Sequence, residues 1–97
     1  MARTAYIVAY DICDPKRLRE VYATCRAYGE HIQYSVFRCD VTPLTKARFV
    51  AALDLVVNHH EDQVLFVPLG PTSDLVDATI ESVGLPYRSR PYRARIL

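Results

Sequence analysis

A chain of 97 residues with 51% hydrophobic residues and a net charge of +1 makes one small domain, near the lower end of what supports its own core. No stretch approaches the roughly 20 apolar residues of a membrane span, and Met1-Ala2-Arg3-Thr4 runs straight into a strand, leaving no room for a signal peptide; the expected location is cytoplasmic. The cysteines Cys13, Cys25 and Cys39 form no C-x-x-C pair and so support neither a zinc knuckle nor a redox pair.

The first element is a strand over residues 5–12, in which Tyr6-Ile7-Val8-Ala9-Tyr10 is apolar or aromatic throughout, the pattern of a central, buried strand. Tyr6, Val8, Tyr10 and Ile12 share one face; Ile7, Ala9 and Asp11 share the other. Asp14-Pro15 then starts a helix, Asp14 as N-cap and Pro15 at the first helical position, where its missing N–H has no partner to lose. This helix reaches about residue 28, with Leu18, Val21, Tyr22 and Cys25 on its apolar stripe, Lys16, Arg17, Arg19, Glu20 and Arg26 on the other side, and Gly29 as its stop. Residues 32–41 are extended formers, either one long strand or two strands bent near Ser35. Cys25 and Cys39 read as small buried hydrophobes.

Thr42-Pro43 repeats the start signal for a second helix to about residue 57, with Phe49, Val50, Leu53, Val56 and Val57 facing inward. Residues 64–69 form another buried strand, stopped by Gly70-Pro71. Residues 78–83 alternate small or apolar with polar side chains and fit an edge strand better than a helix. The predicted domain ends near residue 85. Residues 86–97 carry Arg88, Arg90, Arg93 and Arg95 and no acid, a basic extension on a body of net charge −3. Pro86 and Pro91 keep it from forming a helix, and its apolar end suits an added strand on an exposed sheet edge, most simply the partner subunit's.

The element order predicts an α+β, ferredoxin-like (split βαβ) fold: an antiparallel sheet, two helices on one face, and an extra C-terminal strand. The first strand is apolar on both faces while helices cover only one. A second sheet is the natural cover, which predicts a homodimer through the sheets.

Asp11 is the outstanding polar residue, a carboxylate at the C-terminal end of a central strand, where sites collect in α/β layers. Its plain alternatives are to cap the turn or to pair with Arg17 or Arg19. Arg17 and Arg19 themselves are either a solvated helix face or phosphate contacts. His59-His60 at the end of the second helix suits contacts to the last carbonyls better than a metal pair. Asp40 reads as a capping or surface acid after the strand. The seven tyrosines and three phenylalanines read as core and interface, not as a base-stacking platform.

Taken together, Tyr10-Asp11-Ile12, Arg17 and Arg19, Tyr28-Gly29 and Gln33-Tyr34-Ser35-Val36-Phe37 give a chain that resembles the CRISPR-associated adaptation endonucleases. These are the small, second core component of the spacer-acquisition machinery in this antiviral defence. The resemblance covers about residues 5–84. It implies a ferredoxin-like homodimer in which Asp11 from each subunit holds one Mg²⁺, with Mn²⁺ as a substitute, and carries hydrolysis of phosphodiesters in RNA or DNA. It also implies that Tyr10, Ser35 and Phe37 flank the site, that Arg17 and Arg19 meet nucleic-acid phosphates, and that the CRISPR integrase is a partner. One octahedral ion needs only one or two carboxylates beside water and phosphate oxygens, so a two-fold axis explains why a single chain shows one ligand. Two other readings stand beside it: a non-catalytic dimeric scaffold that bridges integrase dimers and binds DNA, and a metal-free regulatory module for a small ligand. The scarcity of glycine (Gly29, Gly70, Gly84) counts against a ligand-binding loop.

Overall fold

The computed structural model describes residues 2–87 and is built around the first strand. β1 (Thr4–Asp11) pairs antiparallel with β3 (Val36–Val41) on one side and β4 (Gln63–Pro71) on the other, while β2 (Gly29–Gln33) pairs outside β3. The sheet order β2-β3-β1-β4, with α1 (Pro15–Tyr28) and α2 (Pro43–Val56) as crossovers, is the ferredoxin-like split βαβ expected from the element order. Both helix starts follow the sequence signals: Asp14 accepts from the Arg17 N–H at 2.9 Å and Thr42 from the Thr45 N–H at 3.2 Å.

The core lies between the helices and one sheet face. Val8, Val21, Cys25, Phe37, Cys39 and Phe49 are fully buried, and Tyr10, Val41 and Leu53 nearly so. Cys25 and Cys39 are thus the buried hydrophobes expected, and burial pushes both thiols up to about 12. Phe49 stacks on Tyr28 with ring centroids 4.5 Å apart and meets Phe66 edge-on at 5.2 Å. Truncating such a ring to Ala costs about 3–5 kcal/mol. Val50, expected to face inward, is instead exposed in an open groove lined by Tyr6, Lys46 and Asp54.

Residues 32–41 resolve into two strands. The turn at Tyr34-Ser35 puts Ser35 at φ 61°, the only left-handed non-glycine residue among those described. Gly29 ends α1 but does so extended, stepping directly into β2; a Cβ there would collide with the Cys39 sulfur and the Arg38 carbonyl. Gly70-Pro71 does not stop the last strand. A bulge leaves Leu69 unpaired between the Tyr6–Pro68 and Ala5–Gly70 rungs, and Gly70, at φ 118°, carries the strand to Pro71.

Three expectations are corrected on the sheet's second face. Residues 78–83 form no strand; the chain after β4 makes one helical turn, α3 (Asp74–Asp77), and then runs irregularly, with Val83 and Leu85 exposed. Burial of Val76 and pairing of Asp77 with Arg38 draw this segment across the sheet, away from any free edge. Asp40 is not a surface acid beyond the strand: it lies within β3, its side chain 2% exposed, with Arg38 Nη2 at 3.2 Å and the Thr72 hydroxyl at 2.8 Å. The second face is therefore partly covered, at the end of β1 away from Asp11. The uncovered part carries Leu65 and Val67, each nearly half exposed, beside Ile7 and Ala9. The basic stretch 88–97, and any strand it adds, lies outside the described residues.

Candidate active site at the end of the first strand

Asp11 closes β1 opposite Gln63 of β4 and is exposed, on the face shared with Ile7 and Ala9. Neither of its plain alternatives is seen. Asp14 caps the helix, and Arg17 pairs elsewhere: its Nε lies 2.7 Å from Asp62 Oδ2 and its Nη2 3.1 Å from Glu61 Oε1. Among the described residues no side-chain hydrogen bond or ion pair engages Asp11. A carboxylate left open at a strand end is a hard, anionic oxygen donor suited to Mg²⁺ or Mn²⁺. The described residues of one chain hold no cluster of three His, Cys, Asp or Glu side chains that would complete a metal site. To such an ion the described part of one chain would offer the single carboxylate of Asp11, leaving its other positions to water or outside ligands.

Tyr10, Ser35 and Phe37 do come together, but around the back of the site. The Tyr10 N–H donates to the Ser35 carbonyl at 3.0 Å, which docks the β2–β3 turn against the end of β1. Tyr10 and Phe37 stack at 6.2 Å on the helix-facing side of the sheet, opposite to Asp11, and Phe37 is fully buried. Burial pushes the Tyr10 hydroxyl up to about 12, so it stays protonated at neutral pH and supplies no general base. Tyr10 and Phe37 support the strand end from beneath, and the Ser35 carbonyl holds its backbone.

Arg19 is exposed on α1, whereas the Arg17 fork is already occupied by two carboxylates. His59 follows the helix-end expectation: its Nε2 lies 3.2 Å from the Asp54 carbonyl of the last turn of α2 and 3.3 Å from that residue's carboxylate.

Sequence reasoning missed Asp62. Its side chain is fully buried and accepts from the Cys13 N–H at 2.9 Å, the Asn58 N–H at 2.8 Å and Arg17. The Arg17 hydrogen bond, joined by those two backbone donors, holds its carboxyl far below the ordinary range. The only sequence signal was an acid directly before an apolar strand, and Glu61 shares it.

The comparisons with known proteins agree with this geometry. A family model described as "CRISPR associated protein Cas2" matches residues 4–75. The chain is 38% identical over 96 residues to CRISPR-associated endoribonuclease Cas2 1 of Rhodospirillum rubrum, covering 99% of this chain and 93% of that one. It is 38% identical over 79 residues to CRISPR-associated endoribonuclease Cas2 of Geobacter sulfurreducens, covering 81% and 82%. The crystal structure of Streptococcus pyogenes Cas2 at pH 6.5 superposes with a TM-score of 0.73 at 32% identity, over 82% of this chain and 99% of that chain. The strand-end carboxylate, the split βαβ sheet and these matches lead to one conclusion: the chain belongs to the Cas2 family of CRISPR-associated proteins.

Proposed function

We propose that the protein is a homodimeric, divalent-metal-dependent endonuclease of CRISPR adaptation, hydrolysing phosphodiesters in RNA, the substrate class in its relatives' names, or in DNA. The observation that carries the reading is Asp11, an exposed carboxylate with no partner among the described residues, beside the uncovered apolar part of the sheet. Burying Ile7, Ala9, Leu65 and Val67 against a second copy would bring two Asp11 side chains toward one axis. A specific interface of this kind buries about 800 Å² per partner.

Asp11 of each protomer would hold the ion, Mg²⁺ or Mn²⁺. When bound, such an ion lowers the pKa of coordinated water and neutralises charge on the phosphoryl oxygens. The chain's own residues do the rest. The apolar face would bring the two carboxylates together, and the exposed Arg19 would draw the nucleic-acid backbone in by its phosphates, Arg17 contributing less because Glu61 and Asp62 offset its charge. The four arginines of 86–97 would, by their charge, serve contacts to the partner subunit and to the CRISPR integrase. No helix among the described residues is long and apolar enough to cross a membrane; we place the protein in the cytoplasm with its nucleic-acid substrates.

The test is cleavage of single-stranded RNA and duplex DNA by wild type and Asp11→Asn, each with Mg²⁺, Mn²⁺ and EDTA. Asn keeps the shape and removes the charge, so cleavage should vanish while fold and dimer persist. Undiminished cleavage by purified Asp11→Asn would point to a contaminating nuclease and leave the dimeric DNA-binding scaffold.

A further inference from the structure

Asp11 has no side-chain partner among the described residues, so its position is set entirely by the backbone on either side of it. On one side β1 is locked into the sheet, through the Asp11–Gln63 rung. On the other, the Ile12-Cys13 turn leads into α1. A single buried carboxylate grips that turn. Asp62 Oδ1 accepts from the Cys13 N–H at 2.9 Å, two residues beyond Asp11, while Oδ2 accepts from Arg17 Nε at 2.7 Å and from the Asn58 N–H at 2.8 Å. Arg17 Nη2 reaches Oδ1 at 3.4 Å, closing the fork. The Cys13 thiol adds a bond to the Glu61 carbonyl at 3.0 Å. One side chain thereby ties together the turn after Asp11, the first turn of α1 and the loop leading into β4.

Resting on the reading of Asp11 as the metal carboxylate, we infer that Asp62, held by Arg17, is a positioning residue for Asp11, and that Arg17 serves this buttress rather than the nucleic-acid backbone. Two features set the required precision. Productive constellations tolerate displacements of about 0.5 Å, and in a two-fold site every shift of the turn is applied twice, once per protomer. Without Asp62, the Cys13 and Asn58 N–H groups and the Arg17 guanidinium lose their acceptor together, and the turn is free to relax.

The experiment compares the full-length wild type with Asp62→Ala, Asp62→Asn, Arg17→Ala, Arg17→Lys and Arg19→Ala, with Asp11→Asn alongside. Three quantities are read: RNA cleavage across a Mn²⁺ titration, Mn²⁺ binding by electron paramagnetic resonance, and RNA affinity in EDTA. Asp62→Ala should lose about 10- to 100-fold in kcat or in Mn²⁺ affinity, the usual range for groups that orient metal ligands, with no loss of RNA affinity. Arg17→Lys, which keeps a cation beside Asp62, should rescue most of the loss seen in Arg17→Ala. Combining Arg17→Ala with Asp62→Ala should cost little more than the worse single change. Asp62→Asn keeps the shape and one acceptor oxygen but turns the other into an N–H₂ donor facing donors, so it breaks half of the grip at nearly constant volume and reports on the pair even if Asp62→Ala does not fold. Wild-type kcat and Mn²⁺ affinity in Asp62→Asn, with Asp11→Asn dead, would overturn this inference alone, as would an Arg17→Ala loss of RNA affinity equal to that of Arg19→Ala. Full activity in Asp11→Asn would overturn the reading of Asp11 and this inference with it.

Discussion

The two ends of β1 carry charge in opposite ways. Toward the end near Ala5 charges pair within the chain: Arg38, fully buried in mid-sheet, pairs with Asp40 and Asp77, and Asp40 also accepts from Thr72. Burial alone would lower the Arg38 pKa, but the hydrogen bond to Asp77 and the charges of Asp40 and Asp77 more than offset this, and it stays cationic. At the other end Asp11 stands open to solvent with no partner among the described residues. Charge paired within the chain fastens a segment, here α3, onto the sheet. A carboxylate with no partner among the described residues, exposed beside bare apolar surface, is open to a ligand.

The strongest way to break this comparison is to neutralise each end in turn. Asp11→Asn should raise the barrier to cleavage by several kcal/mol, or more than about 100-fold in rate, and leave thermal stability within about 0.5 kcal/mol, as for an exposed side chain with no contacts. Cleavage rates and melting curves on one preparation check both halves. Arg38→Ala should do the reverse. Removing one member of a buried ionic group costs about 3–5 kcal/mol, a large share of the roughly 5–15 kcal/mol that holds a domain together. Tm should fall by more than about 10 °C, while any chain that remains folded still cleaves. A marginal change in the Arg38→Ala melting curve would mean the far end is no clip.

Smaller effects sharpen the picture at the site. Each phosphate contact releases counterions, so Arg19→Ala should flatten the salt dependence of RNA binding by about one unit of slope, uniformly across sequences. Arg17→Ala should hardly change it, since that guanidinium is already matched by Glu61 and Asp62. Filter binding from low to moderate salt distinguishes them.

What was legible in the sequence follows the range of the forces involved. The strand Tyr6–Tyr10, the starts at Asp14-Pro15 and Thr42-Pro43 and the place of Asp11 rest on local periodicity and local hydrogen bonds, and all appear where the residues put them. Asp62 and Arg38 were not legible because their partners are distant, 45 residues separating Arg17 from Asp62 and 39 separating Arg38 from Asp77. A hint existed for Arg38: opposite charges at Arg38 and Asp40, two apart in a strand and so on one face, surrounded by apolar residues. Residues 78–83 misled because alternation alone cannot show which surface a segment meets. There, Val76 and Asp77, just upstream, had already committed the chain to the sheet face. Arg17 misled for the opposite reason, since an arginine near a candidate metal carboxylate looks the same whether it awaits a phosphate or is already paired.

The finest test of that last distinction is acid stability. The Asp62 carboxyl titrates well below its ordinary value of 3.8 in the folded chain, chiefly through its hydrogen bond from Arg17. A depressed folded pKa contributes stability that is fully present above the unfolded value. It fades as pH drops below about 4 toward the folded one, because there the unfolded chain takes up a proton that the folded chain refuses. Arg17 stays protonated throughout, so nothing opposes the trend. Denaturant unfolding of wild type and Asp62→Asn at steps from pH 6 to pH 2 should show parallel stabilities above about pH 4.5. Below pH 4 the wild type should fall more steeply, by up to about one proton in the linkage slope. If instead Asp62→Asn tracks the wild type throughout, Arg17 and Asp62 are not coupled in the folded protein, and the arginine is free to meet a phosphate.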